Sequence, residues 1–155
     1  MRIGLVGTGR MGRPMLDQLI RAGHDCVVFA RRPEARARLV AEGLACVDTL
    51  AAAMTDADVV IVVVLNDEQV QEVCLGHGGA LAAMRSGTVL IQDTTYDPVT
   101  VERVAIEGAG RVGVLDAALS GGPGDILSGC LTLWIGGDND LLAQVFPATG
   151  NLLQA

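Results

Sequence analysis

Three glycines near the start of the chain have the spacing of a phosphate-binding turn. Gly7, Gly9 and Gly12 form the pattern G-x-G-x-x-G. In this pattern the first glycine allows a tight turn, the second lets the backbone approach a pyrophosphate, and the third lets a helix pack closely on a strand. The phosphates would accept hydrogen bonds from free N–H groups at the helix start, where the peptide dipoles also favour negative charge. The segment predicted to bind phosphate consists of Gly7, Thr8, Gly9, Arg10, Met11 and Gly12.

Two arginines lie at the position where a dinucleotide-binding fold contacts the adenosine ribose. Arg31 and Arg32 follow the apolar run 26–30, and Arg31 lies 19 residues beyond Gly12. A carboxylate at about this distance binds the ribose hydroxyl of NAD, whereas an arginine accommodates the 2′-phosphate of NADP. A planar guanidinium suits a phosphate dianion. We therefore predict NADP as the cofactor, with NAD as the less favoured choice; the alternative is a pair of solvated arginines that lead into a helix.

Polar groups follow two later apolar runs. Leu65 ends the run that begins at Asp58, Asn66 follows it, and Thr95 lies after the run 88–92. Ligands bind outside the carboxyl ends of parallel strands, so we predict that Leu65 and Asn66 line the cofactor. The hydroxyls of Thr94 and Thr95 suit a site that binds a ribose or a carboxamide, and Thr95 is the residue predicted to bind the cofactor, although threonines in such turns also serve as caps.

A second glycine-rich segment begins at Ser120. It combines a hydroxyl with consecutive backbone N–H groups, which together can hold a small carboxylate. The residues predicted to do so are Ser120, Gly121 and Gly122.

Alternating apolar runs and helical segments must position these groups. The predicted strands are 2–6, 26–30, 45–47, 58–65, 88–92, 112–116 and 130–135. The predicted helices are 10–22, 33–42, 50–54, 68–74, 80–84, 98–107 and 139–145, the last of which should end before Pro147. This order predicts an α/β domain over residues 1–155 with a Rossmann-like, doubly wound, mainly parallel sheet flanked by helices. The run 58–65 does not alternate, which indicates a strand buried on both faces at the centre of the sheet.

Composition narrows the class of protein. Hydrophobic residues make up 50% of the chain and aromatic residues only 3%, which is typical of an aliphatic core under helices. The net charge of −7 argues against a general nucleic-acid or anionic-membrane surface.

The four cysteines show no C-x-x-C pair or histidine cluster, so we expect buried, reduced thiols and no metal site. No targeting or membrane segment is recognised, and a cytoplasmic location is expected. All 11 basic residues are arginine, so the chain contains no lysine.

Three motifs resemble those of the β-hydroxyacid dehydrogenases, a family that includes 3-hydroxyisobutyrate dehydrogenases and glyoxylate/succinic semialdehyde reductases. Residues 4–15, GLVGTGRMGRPM, are similar to its opening segment, and A-G-H at 22–24 is similar to its next motif. D-T-T at 93–95, followed by Pro98, resembles D-[ST]-[ST]-x-x-P. The segment 116–138 is similar to the family's D-A-P-V-S-G-G loop and G-T-L-T strand, with Ala118 and Leu119 in place of proline and valine.

The resemblance implies an NAD(P)-dependent oxidoreductase that acts on a small hydroxy or oxo acid. In the family the glycine loop and the residue matching Thr95 hold the cofactor, and the loop at Leu65 lines it. The residues matching Ser120, Gly121 and Gly122 hold the substrate's carboxylate, and an arginine at the position of Arg31 accompanies NADP.

Family members also continue into an all-helical domain that carries an acid/base lysine, which this chain does not supply. We therefore expect a cofactor-binding domain with no catalytic residue of its own, weak turnover alone, and a helical domain or a second copy as partner. A standalone NADP-binding sensor or regulatory module is the alternative. A third possibility is a complete reductase that protonates through Tyr96, Asp67 or solvent.

Overall fold

The computed structural model describes residues 1–94 and 97–149, with side chains as far as Val145. The strands are β1 Arg2–Val6, β2 Asp25–Phe29, β3 Cys46–Val47, β4 Val59–Val62, β5 Val89–Gln92, β6 Gly113–Ser120 and β7 Thr132–Gly136. The helices are α1 Gly12–Arg21, α2 Pro33–Ala41, α3 Leu50–Met54, α4 Asp67–Leu75, α5 Ala80–Ala83, α6 Pro98–Gly108, α7 Pro123–Ser128 and α8 Asn139–Thr149.

The strands form one sheet in the order β3-β2-β1-β4-β5-β6-β7. All neighbouring strands from β3 to β6 run parallel, and β7 pairs antiparallel with β6. The predicted α/β, Rossmann-like fold class is confirmed. Strand order reverses between β1 and β4, which places a ligand-binding crevice at the carboxyl ends of these two strands.

β4 is the central strand, as predicted, and all four of its residues are buried. Its side chains alternate between two cores, because successive residues of a strand point to opposite faces. Val59 and Ile61 join the core that includes Leu16 of α1. Val60 and Val62 join the core that includes Val70 of α4. Helices on both faces therefore hold the carboxyl ends of the strands in fixed positions.

Two element boundaries near the crevice differ from the sequence prediction. β4 ends at Val62 rather than Leu65, because the N–H and C=O of Val64 both bond to the Thr94 hydroxyl instead of a neighbouring strand. β6 continues to Ser120 rather than ending at Asp116, because β7 pairs with it along that whole length. The backbone therefore leaves the sheet earlier on one side of the crevice and later on the other.

Two helices also differ from the prediction. α7, Pro123–Ser128, was not predicted, because its proline and glycine at 123 and 124 are typical of a turn. α8 continues to Thr149 rather than ending before Pro147. A proline within a helix removes one backbone hydrogen bond, and this helix tolerates that loss.

Candidate functional site

The turn between β1 and α1 depends on two glycines for its shape. Gly7 has a φ of +94°, a conformation that favours glycine. A Cβ atom on Gly7 would collide with the carbonyl oxygen of Val63, and one on Gly12 would collide with the carbonyl oxygen of Gly7. The Gly7 N–H donates to the carbonyl oxygen of Phe29 at 3.2 Å. These two glycines therefore serve the close packing of strand, turn and helix.

Gly9 has a different environment, since it is exposed and a Cβ atom there would meet no atom within 4 Å. The N–H groups of residues 9 to 12 donate to no carbonyl or side chain in the described part of the chain. Free amides at the start of a ten-residue helix, beside open space, are a feature that favours an anion. The turn thus has the features that a diphosphate requires.

The side chains of the turn leave this space open. Arg10 is exposed, and Thr8 is half-buried. Met11 packs against the apolar cluster that contains Ile126 and Leu131. The turn is therefore anchored by Met11 and is not filled by it.

The predicted arginines lie after β2, where both are exposed. Arg36 of α2 fixes the backbone beneath them, since its Nη1 donates to the carbonyl oxygens of Ala30 and Arg31 at 3.0 Å each. The Arg31 Nη1 lies 3.9 Å from Oε2 of Glu72 on α4. Arg32 forms no ion pair with a described residue. The structure therefore presents two guanidinium groups at the end of β2, one of them beside a carboxylate.

Side-chain hydrogen bonds from Thr94, which follows β5, and from Asn66, which caps α4, hold the loop after β4. The Thr94 Oγ1 accepts from the Val64 N–H and donates to the Val64 carbonyl oxygen, both at 3.0 Å. The Asn66 Oδ1 accepts from the Gln69 N–H at 3.0 Å and so caps α4. Leu65, by contrast, is 82% exposed and available to a ligand.

These contacts refine the prediction for this loop. The side-chain oxygen of Asn66 already caps α4, so its side-chain NH2 group is the part that remains for a cofactor. Thr94, whose hydroxyl the sequence analysis considered together with that of Thr95, is the residue that anchors the loop. A signal for it existed in the threonine pair after β5. Thr95 lies outside the described residues.

The second glycine-rich segment begins at the exposed Ser120, the last residue of β6. Gly121 has a φ of +137°. The assignment of Gly122 to carboxylate binding stays a prediction, and in this structure the Gly122 N–H donates to Oδ2 of Asp125 at 2.6 Å. The reason is local, because the third residue of a helix reaches back to cap its start. The Ser120 hydroxyl and the Gly121 N–H have no partner among the described residues and remain available.

α7 ties this segment to the glycine turn through α1. The Gln18 Nε2 of α1 donates to the carbonyl oxygens of Ile126 and Leu127, at 2.9 and 2.7 Å. Met15 of α1 packs against Ile126 and Leu133 in one apolar cluster. The glycine turn leads directly into α1, and α7, which follows the second segment, packs against α1. Sequence reasoning missed this link because it depends on a pairing 108 residues apart.

A buried carboxyl lies at the end of β5. Asp93 is only 5% exposed. Burial, together with the negative charge of Asp116, raises the pKa of its carboxyl from 3.8 to about 8. This raised pKa favours the protonated form of the carboxyl near pH 7. Asp67, considered above as a proton donor, begins α4 and accepts from Nε2 of Gln71 at 2.8 Å. Tyr96 lies outside the described residues.

The cysteines are free, but they are not all buried as predicted. Cys26 and Cys74 are buried, and burial raises their pKa values to about 11 and about 12. Cys46 is half-buried, and Cys130 is exposed because it lies in the turn between α7 and β7.

No group of three or more His, Cys, Asp or Glu residues in the described ranges could hold a metal ion. No helix in those ranges is long and apolar enough to cross a membrane.

The chain is similar to known dehydrogenases along nearly its whole length. A family model described as the NAD binding domain of 6-phosphogluconate dehydrogenase matches residues 2–152. 3-hydroxyisobutyrate dehydrogenase of Pseudomonas aeruginosa is 34% identical over 151 residues, covering 97% of this chain and 51% of that protein. 2-hydroxy-3-oxopropionate reductase of Escherichia coli is 32% identical over 148 residues, covering 95% and 50%. The chain therefore spans about half the length of the curated relatives it matches.

A solved structure shows the same fold. Mycobacterium tuberculosis 3-hydroxyisobutyrate dehydrogenase with L-serine superposes with a TM-score of 0.89 at 29% identity. The match covers 98% of this chain and 52% of that one.

Proposed function

The chain belongs to the family of the NAD-binding domain of 6-phosphogluconate dehydrogenase, and from that premise we propose that it binds NADP(H) as the cofactor-binding half of an oxidoreductase. The reaction we propose is hydride transfer between the nicotinamide and a small 3-hydroxy acid or semialdehyde. A bound nicotinamide dinucleotide would supply the hydride donor or acceptor. The observation that carries the proposal is the open space at Gly9 beside the free amides of residues 9 to 12.

The residues of this chain have distinct parts in binding. The amides at the start of α1 would hold the diphosphate, because free N–H groups and the helix dipole both favour an anion there. Arg31 would pair with a 2′-phosphate, and its exposed guanidinium supports the preference for NADP over NAD. Leu65 offers an apolar wall from the β4–α4 loop. The Ser120 hydroxyl and the Gly121 N–H would bind the substrate's carboxylate.

Proton transfer is the part of the reaction that these residues do not provide. Oxidation of an alcohol or reduction of a carbonyl requires a proton to move at the substrate oxygen. The 155 residues contain no lysine, and Asp93 is only 5% exposed. We propose that a helical domain supplies the acid/base group, that a second copy of the chain is the alternative partner, and that this chain alone turns over weakly. The free cysteines suit a cytoplasmic location, which is part of the same proposal.

The alternative function is an NADP-binding sensor or regulatory module without catalysis. The lack of lysine favours it equally, so binding and turnover must be measured separately. The test is a calorimetric titration of the chain with NADPH and with NADH, followed by an assay with succinic semialdehyde or 3-hydroxyisobutyrate. We expect NADPH binding with little turnover. Absence of binding to both dinucleotides would refute the proposed function, and rapid turnover would refute the part about the missing acid/base group.

A further inference from the structure

One ion pair spans the crevice in which the dinucleotide is proposed to lie. Arg31 follows β2, and Glu72 lies on α4, which follows β4. β1 lies between these two strands in the sheet, so the backbones start about 10 Å apart, twice the usual strand spacing. The Arg31 Nη1 and the Glu72 Oε2 nevertheless approach to 3.9 Å. The two side chains therefore connect segments that follow the strands on either side of β1.

This contact is easily opened, because both side chains are 68% exposed. An exposed ion pair is weak, since water and salt screen it and two long side chains lose freedom to form it. Arg36 donates to the backbone carbonyl oxygen of Arg31. Within the described residues, Glu72 is the only carboxylate paired with that guanidinium.

We propose that Glu72 is a specificity-determining residue of this cofactor site. Its carboxylate is the counter-ion of Arg31 in the free protein and competes with the 2′-phosphate of NADP for the same guanidinium. NADP binding must break this pair and place a phosphate dianion near a carboxylate, whereas NAD brings no charge to that position. Glu72 therefore lowers the preference for NADP that Arg31 creates. This inference rests on the proposed function.

The variant Glu72→Gln tests the competition, because it keeps the size of the side chain and removes its charge. We expect the affinity for NADPH to rise about three- to tenfold, since an exposed pair contributes a few-fold and relief of repulsion adds to it. The affinity for NADH should stay within twofold of the wild type. Glu102→Gln is the matched control, because Glu102 is an exposed glutamate on α6 and its substitution changes the net charge equally. It should leave both affinities within twofold.

A double variant separates competition for Arg31 from a general charge effect. In an Arg31→Ala background, Glu72→Gln should raise NADPH affinity by a smaller factor than in the wild-type background, because the competition for the guanidinium is gone and only the repulsion between carboxylate and phosphate is relieved. An equal rise in both backgrounds, or an unchanged NADPH affinity in Glu72→Gln, would overturn the assignment while leaving the proposed function intact. If the wild-type chain binds neither dinucleotide, the proposed function fails, and this inference fails with it.

Discussion

Replacing Gly9 with alanine should separate stability from cofactor binding. A Cβ atom at this position meets no described atom within 4 Å, and Gly9 lies outside the left-handed region. Alanine at a compatible backbone position raises the free energy of unfolding by about 0.4–1 kcal/mol, because it restricts the unfolded chain. The same methyl group would occupy the space in which the diphosphate is proposed to approach the backbone. Loss of one hydrogen bond to a charged group costs about 1.5–3 kcal/mol, so NADPH should bind about ten- to a hundredfold more weakly.

Two measurements on one preparation test this prediction. Denaturant unfolding followed by circular dichroism gives the stability, and calorimetric titration gives the dissociation constant for NADPH. Gly124→Ala is the matched control, because Gly124 in α7 also has open space around its Cβ position; it should leave NADPH affinity unchanged. Gly12→Ala should behave in the opposite way and lower stability, because its methyl group collides with the Gly7 carbonyl oxygen. If Gly9→Ala binds NADPH as tightly as the wild type, the diphosphate does not lie on this turn.

Three further predictions follow from the site. Arg31→Asp should weaken NADPH binding at least tenfold, about 1.4 kcal/mol, while sparing NADH; an equal change in both titrations would contradict the cofactor assignment. Asp93→Asn should remove a pH dependence: the folded carboxyl keeps its proton to about pH 8 while the unfolded one loses it near 3.8. Wild-type stability should therefore fall relative to the variant by up to about 1.4 kcal/mol per pH unit in that window, and parallel profiles in denaturant titrations would refute the raised pKa. Gln18→Leu should cost about 1–3 kcal/mol of stability by leaving two carbonyl oxygens of α7 without their donor; a loss below 0.5 kcal/mol in urea unfolding would show that the α1–α7 link is unimportant.

The fold was predictable from sequence because the strongest signals belong to single elements. The run of β-branched residues 58–65 identified the central strand, since a strand covered on both faces needs no polar positions. The glycine spacing identified the turn between β1 and α1 for the same kind of local reason. Each of these signals is complete within a few residues, and the structure confirms both elements.

The parts that were missed depend on contacts between distant residues. β6 extends to Ser120 because β7 pairs with it, and the sequence of β6 alone does not indicate that pairing. α7 forms where proline and glycine suggested a turn, because Asp125 caps it and Ile126 buries a side chain against Met15. The Arg31–Glu72 contact joins residues 41 positions apart, on elements that only the sheet order brings together. Sequence therefore indicated the candidate residues, and the folded chain showed which of their atoms are already engaged.

The central claim is that the diphosphate of a dinucleotide binds to the bare amides at the start of α1. The most direct measurement is the set of backbone amide chemical shifts of the 15N-labelled chain, recorded with and without saturating NADPH. The account predicts that the largest changes fall on the amides of residues 9 to 12, which donate to no described group in the free protein. If NADPH binds and these amides do not shift, the claim is contradicted.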